Sequence, residues 1–183
     1  MVADPRVPGW RLAVPAAVTL GSVVCAAAAA YQLVTAGWNP AAGMPADPAH
    51  LAAAGWLLLL GQFFDLFDGL VARALRATSA FGLQLDSLAD FLSFGAVAAL
   101  LLVVAGDGPW ATGTGVVLVV CAAVRVSRYN VEKPPDETPL HFRGLTTPGA
   151  GGTIASWVLL ADSFARPGST LAVLGEPVLD RLA

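Results

Sequence analysis

Four aspartates at the edges of long apolar segments are the residues of this chain best suited to chemistry: Asp65, Asp68, Asp86 and Asp90. The first two are spaced i, i+3 and the last two i, i+4, and either spacing puts both side chains on one face of a helix. Carboxylates held close together repel one another, and a divalent cation relieves that repulsion. Because hard oxygen ligands suit such ions, the spacing predicts a site for Mg²⁺ or Mn²⁺ between two helices.

The residues between the two aspartate pairs favour a phosphate ligand. Gly69, Ala72 and Gly82 are small, and small residues on one helix face leave room for a ligand or for a close helix. The planar guanidinium of Arg73 is suited to bidentate phosphate binding. Metal, arginine and small residues together indicate a diphosphate site. The alternative, ordinary helix-end aspartates paired with Arg73 and Arg76, fits one aspartate better than four.

Long apolar blocks must position these side chains. The chain has 183 residues, of which 56% are hydrophobic and only 13% charged. Crossing a bilayer takes about 20 apolar residues. We expect an all-α, polytopic membrane helix bundle that forms one domain over residues 1–183. Its five expected transmembrane helices cover 12–36, 51–64 with the aspartates that follow, 82–105, 110–126 and 147–164, and 169–183 is a short or truncated sixth.

The basic residues predict the orientation. Eight of the ten fall on one side of the expected bundle: Arg6, Arg11, Arg73, Arg76, Arg125, Arg128, Lys133 and Arg143. By the positive-inside rule this side, with the N-terminus and the four aspartates, is cytoplasmic. The first apolar block runs for about 25 residues, too long for the apolar h-region of a signal peptide, which has 7–15 residues, so we expect a retained helix. The chain has no basic stripe of the kind that binds nucleic acid.

The acidic segment matches a known signature at every fixed position. Residues 65–90 read D-x2-D-G-x2-A-R-x8-G-x3-D-x3-D. This resembles the CDP-alcohol phosphotransferase family of integral membrane enzymes. The resemblance implies metal-dependent transfer of a phosphatidyl group from CDP-diacylglycerol to a small alcohol, with release of CMP. It implies that Asp65, Asp68 and Asp86 are metal ligands, and that Asp90 lies at the metal site and is the general base.

The same resemblance implies a nucleotide site around the metal. Asp65 and Gly69 contact the nucleotide or its diphosphate, Ala72 and Gly82 line it, and Arg73 helps to hold it. The resemblance also implies a homodimer surrounded by membrane lipid.

Three further stretches are similar to the bacterial and archaeal phosphatidylserine synthase branch of that family. They are 85–95, 125–130 and 142–148, which read LDSLADFLSFG, RVSRYN and FRGLTTP. This similarity implies L-serine as the acceptor and a prokaryotic cell membrane as the location. Arg128, Asn130 and Arg143 are candidates to bind the phosphate or the serine carboxylate. The alternative for these residues is plain anchoring at the membrane surface.

Two positions depart from the branch, and other functions stay open. Thr146 stands where the branch usually has proline, and Pro15 is followed by Ala16 where the family often has asparagine. Another acceptor would make the chain a phosphatidylglycerophosphate or inositol-phosphate lipid synthase. A divalent-cation transport or sensing protein could use the same aspartates, and an inactive homologue would keep them without turnover.

Overall fold

The computed structural model describes residues 9–75, 80–106, 108–132 and 146–165. These residues form helices and, within those ranges, contain no β-strand. The helices are α1 (Gly9–Thr35), α2 (Pro48–Ala74), α3 (Ala80–Asp90), α4 (Ala98–Ala105), α5 (Gly108–Glu132) and α6 (Thr147–Ala165). A π-helical segment, Phe91–Val97, joins α3 to α4 without a break, so that these three pieces make one continuous rod.

Four stretches among the described residues are long and apolar enough to cross a membrane. They are Ala13–Thr35, Pro48–Val71, Phe81–Ala105 and Gly108–Val131. The fifth expected span corresponds to α6, a helix of 19 residues that is not among these four. The expected all-α polytopic bundle is confirmed, whereas the count of five spans is not exact. Residues 169–183, the expected sixth helix, lie outside the described part of the chain.

Helices α1 and α2 form an antiparallel hairpin. The connection between them turns through Gly37 and Gly43. Their φ angles of 72° and 65° lie in the left-handed region, which glycine adopts readily and residues with a side chain rarely do. The Asp47 carboxylate then accepts a hydrogen bond from the backbone N–H of Ala49 at 2.9 Å. This cap satisfies a backbone donor that the first turn of α2 would otherwise leave free. The chain therefore reverses at this loop and α2 runs back along α1.

Small side chains let α1 and α2 approach closely. A Cβ added to Gly61 on α2 would lie 3.4 Å from the Cβ of Cys25 on α1. Packing between membrane helices relies on such small residues, because lipid supplies no hydrophobic force between helices. The buried core around this contact includes Ala26, Ala29, Leu33, Ala54, Leu58, Leu101 and Ala155.

Helix α3 packs mainly on α1, while α2 packs mainly on α1 and α6. Helices α2 and α3 make little direct contact, and α2 meets the third stretch farther along, at the π-helical segment and α4. At the level of the aspartates, the two acidic helices therefore meet through their carboxylates rather than through close packing of their backbones. The separation there leaves space between the two acidic faces.

The π-helical segment is held between α5 and α6 by close contacts at glycines. A Cβ added to Gly151 on α6 would lie 2.7 Å from the Cβ of Phe94. One added to Gly95 would lie 3.0 Å from the Cβ of Ala122 on α5. Phe94 itself is fully buried. These contacts fix the segment that immediately follows Asp90.

Candidate active site

Three of the four aspartates come together between α2 and α3. One carboxylate oxygen from each of Asp65, Asp68 and Asp86 lies within 4.8 Å of the others. Asp65 and Asp68 stand about one turn apart on α2, and Asp86 reaches them from α3. Asp68 is only 5% exposed, and the other two are half-buried. The structure thus brings together three of the four aspartates that the sequence places at the metal site.

The three carboxylates fit a divalent ion. Oxygens bound to one octahedral Mg²⁺ at about 2.1 Å lie about 3 to 4 Å from each other, slightly closer than in this cluster. The Oδ2 atom of Asp68 is buried and has no hydrogen-bond partner among the described residues. Burying a charged oxygen without a partner is unfavourable. A cation bound to Asp65, Asp68 and Asp86 would satisfy it, and the all-oxygen ligand set suits Mg²⁺ and Mn²⁺ alike.

Asp90 lies beside this cluster. It follows Asp86 by one helical turn, and its carboxyl group is within hydrogen-bonding reach of the Asp65 carboxyl group. Two carboxylates this close repel each other unless a proton or a cation lies between them. The Oδ1 atom of Asp90 is buried and makes no hydrogen bond to any described group. Asp90 therefore lies at the cluster and keeps one buried oxygen that no described group binds.

Helix α1 contributes a residue that sequence reasoning missed. Thr19 is buried, and its hydroxyl group is a neighbour of the Asp68 carboxylate, as is the backbone N–H of Gly69. The same hydroxyl lies 3.1 Å from the carbonyl oxygen of Pro15. The available signal was a polar residue one turn beyond Pro15, in an otherwise apolar block. The helix that lacks the family's asparagine after Pro15 still supplies a polar group to the site.

The residues predicted to contact nucleotide continue both acidic helices. Gly69, Ala72 and Arg73 follow Asp68 on α2, and Gly82 lies in the first turn of α3. Gly69 is four residues beyond Asp65, a spacing that keeps both on one face of α2. The side chains of Ala72 and Arg73 lie outside the described part of the structure.

The three acceptor-site candidates have different surroundings. The Oδ1 atom of Asn130 accepts a hydrogen bond from the hydroxyl group of Ser87 at 2.9 Å, which ties the end of α5 to the residue after Asp86. The two residues line a cavity of about 270 Å³ between α3 and α5. Arg128 is exposed. Arg143 lies outside the described residues.

Arg125, rather than Arg128, is the arginine of α5 directed into the bundle. Its Nη1 atom donates to the hydroxyl group of Thr147 at 2.9 Å, and Thr147 is 3% exposed. Next to it, the hydroxyl group of Thr146 accepts a hydrogen bond from the backbone N–H of Gly149 at 3.2 Å. Thr146 thus caps the first turn of α6 at the position where the related branch usually has proline.

Comparison with known proteins identifies the family. A family model described as CDP-alcohol phosphatidyltransferase matches residues 12–176. The chain belongs to this family. The match includes all four aspartates and every described helix except the start of α1. Together with four helices of membrane-spanning length, it makes the chain an integral membrane protein.

Several curated members of the family are similar to this chain. A CDP-diacylglycerol–serine O-phosphatidyltransferase of Helicobacter pylori is 32% identical over 122 residues, or 65% of this chain and 51% of the relative. The enzyme of that name from Mycobacterium tuberculosis is 37% identical over 115 residues, or 60% and 40%. An archaetidylserine synthase of Methanothermobacter thermautotrophicus is 38% identical over 113 residues, or 60% and 47%. The chain thus spans about half the length of these relatives, or less. No solved structure matches it significantly.

Proposed function

We propose that this chain transfers the phosphatidyl group from CDP-diacylglycerol to L-serine and releases CMP. The observation that carries this proposal is the convergence of three carboxylates, with Asp90 beside them and one of its buried oxygens unpaired among the described residues. The names of the similar curated proteins, which are serine or archaetidylserine enzymes, favour serine as the acceptor.

The acidic cluster would hold the donor through a divalent ion. Asp65, Asp68 and Asp86 would hold Mg²⁺ or Mn²⁺, and such an ion, when bound, would neutralise diphosphate charge in the transition state. Gly69, Ala72 and Gly82 leave room for the nucleotide along α2 and α3. Arg73 binds a phosphate oxygen. Because α2 and α3 make little direct contact at this level, the donor has space between them.

Asp90 is the general base. It takes the proton of the acceptor hydroxyl group as that oxygen attacks the phosphorus bearing the diacylglycerol. The bond from this phosphorus to the CMP oxygen breaks, and CMP leaves. A carboxylate held next to another one, as Asp90 is held next to Asp65, is a suitable base at neutral pH.

The acceptor's charged groups would be bound from α5 and the residues after it. Asn130 is tied to Ser87, next to the metal ligand Asp86. Arg128 and Arg143 are the expected cationic partners of the serine carboxylate or the phosphate. Arg125 holds the start of α6 against α5 and so supports this side of the site.

Two further parts of the proposal concern the protein in its membrane. The side rich in basic residues, with the N-terminus and the aspartates, faces the cytoplasm. Labelling of single cysteines with a membrane-impermeant reagent tests this, and reaction at residues before α1 in intact cells would contradict it. The active form is a homodimer, and cross-linking in native membranes tests that assignment.

An acceptor screen tests the reaction itself. Purified protein is given CDP-diacylglycerol, Mn²⁺ or Mg²⁺, and serine, glycerol 3-phosphate or an inositol phosphate, and CMP release is measured. We expect release with serine and formation of phosphatidylserine. Release only with another alcohol would move the chain to another branch of the family. Metal flux across vesicles without CMP release would favour a transport protein.

One variant separates the base from the metal ligands. Asp90→Asn should abolish turnover while the protein still binds CDP-diacylglycerol in the presence of metal. Unchanged turnover would remove Asp90 from its role. Loss of donor binding would show that Asp90 acts mainly through the metal.

A further inference from the structure

One serine in the π-helical segment has an unusual environment. Ser93 is 1% exposed, and its Oγ atom has no hydrogen-bond partner among the described residues. Buried helical serines and threonines ordinarily donate to a carbonyl oxygen three or four residues earlier. Among the described residues, the buried Thr19 and Ser22 do so.

Ser93 lies where the helix changes its hydrogen-bond pattern. The backbone N–H of Ala98 reaches the carbonyl oxygen of Ser93, five residues earlier, which is the spacing of a π-helix. Such π-helical turns occur frequently at functional sites. The segment around Ser93 packs against α1, α5 and α6, so that its hydroxyl group is shielded from solvent and lipid. An unpaired hydroxyl group in such surroundings is unfavourable unless something binds it.

Few buried side-chain polar atoms among the described residues lack a hydrogen-bond partner. Three buried side-chain oxygens lack a hydrogen-bond partner: Oδ2 of Asp68, Oδ1 of Asp90 and Oγ of Ser93. A metal ion accounts for Asp68. The other two, on Asp90 and Ser93, lie three residues apart where α3 passes into the π-helical segment. One is a carboxylate oxygen that accepts a proton, and the other is a hydroxyl group that both donates and accepts.

We propose that Ser93 is a binding residue for the acceptor alcohol. The acceptor's hydroxyl group lies at Oδ1 of Asp90, and a second polar group of the same molecule, ammonium or carboxylate, lies at Oγ of Ser93. The ligand is therefore a small amino alcohol or hydroxy acid rather than a simple alcohol. A site that offers a hydrogen-bonding group rejects analogues that leave that group unpaired. This inference rests on the proposed function, in which Asp90 is the base.

The test is Ser93→Ala, with CMP release measured over a range of serine and of CDP-diacylglycerol concentrations. Losing a hydrogen bond to a charged group should raise the KM for serine by about ten- to a hundredfold. The KM for CDP-diacylglycerol should stay within about twofold, because Ser93 does not touch the donor. The unfolding temperature should not fall, because the deleted hydroxyl group has no protein partner to lose. Ser93→Cys, which keeps the side-chain size, should behave alike.

Ser22→Ala is the matched control. Ser22 is equally buried at 1% exposed, but its hydroxyl group donates to the carbonyl oxygen of Thr19 at 2.7 Å. This variant should unfold at a lower temperature and keep its KM for serine. The contrast separates a ligand-binding hydroxyl group from one that only supports the fold.

Two results would overturn the inference. One is an unchanged KM for serine in both Ser93→Ala and Ser93→Cys. The other is a lower unfolding temperature together with a fall in turnover but no selective rise in the KM for serine. A hydroxyl group that only supports the fold would produce that result.

The same measurements distinguish a failure of the serine assignment from a failure of the proposed role of Ser93. If the wild-type protein uses another alcohol, the serine assignment fails, and the KM for that alcohol decides the role of Ser93. If no alcohol releases CMP, the proposed reaction fails. The rise in unfolding temperature on adding serine then decides: a rise that Ser93→Ala loses supports the inference, and no rise in the wild-type protein overturns it.

Discussion

Gly151→Ala tests the close approach of α6 to the π-helical segment. The added Cβ would lie 2.7 Å from the Cβ of Phe94 and 2.9 Å from its Cα. Carbon atoms in good contact are about 3.5 to 4.0 Å apart, so the shortfall is about 1 Å. The Cα of Phe94 is backbone and cannot rotate away, so α6 must move.

The expected cost follows from two opposing effects. Overpacking of this kind costs about 1 to 3 kcal/mol. Alanine gains up to about 1 kcal/mol over glycine in a helix. Because the clash involves backbone, we expect a net loss of about 2 kcal/mol, which lowers the unfolding temperature of a chain of this size by about 4 to 8 °C.

Thermal unfolding in detergent is the assay, and Gly113→Ala is the control. Gly113 also lies in a helix, α5, but a Cβ there meets nothing within 4 Å. It should therefore leave the unfolding temperature unchanged or raise it slightly. CMP release should fall in Gly151→Ala, since a shift of α6 also disturbs the contact between Arg125 and Thr147. Equal shifts in unfolding temperature for the two variants would refute the close packing of α6.

Three further predictions follow from the site and its supports. Mn²⁺ at about 100 times its Kd should stabilise the protein by about 2.7 kcal/mol, read as a rise in unfolding temperature. Asp68→Asn should lose most of that rise, and Asp162→Asn, on α6, should keep it; an equal rise in both would contradict the metal assignment. Thr146→Ala removes the cap of α6 and should cost about 1 kcal/mol in thermal unfolding, so an unchanged stability would refute the cap. A double-mutant cycle on Ser87 and Asn130 should give a coupling of about 0.5 to 1.5 kcal/mol, and no coupling would exclude their hydrogen bond.

The convergence of the acidic residues could be predicted because it depends on helical periodicity. Asp65 with Asp68, and Asp86 with Asp90, share a face by spacing alone, and their position at one end of apolar segments puts them at one depth. A charge in an apolar helix is also rare enough to indicate function. The sequence therefore predicted which carboxylates meet before any packing was known.

The partner of each helix could not be predicted in the same way. Helices α2 and α3 follow each other along the chain, yet α1 is the main neighbour of both. The choice depends on small residues such as Gly61 facing Cys25, and a local pattern does not show which helix such a residue meets. For the same reason, the contribution of Thr19 became visible only in the folded bundle.

The sequence also does not show which side of α5 faces the bundle or what the glycines of α6 contact. Arg125 and Arg128 lie three residues apart at the same helix end, and only the packing reveals that Arg125 reaches Thr147. Gly151 is likewise what lets α6 approach Phe94, and a glycine in the sequence does not show which helix it will meet.

The π-helical segment also constrains how this gene can change in length. A π-helical segment carries one residue more than an α-helix that spans the same turns, so deleting one residue from Phe91–Val97 should convert it to α-helix and keep Asp86 and Asp90 in phase with α4. Inserting one residue there should instead rotate both carboxylates by about 100° relative to α4 and take them out of the cluster. Libraries of insertions and deletions should accordingly lose insertions between Asp86 and Ala98, while single deletions within Phe91–Val97 survive more often.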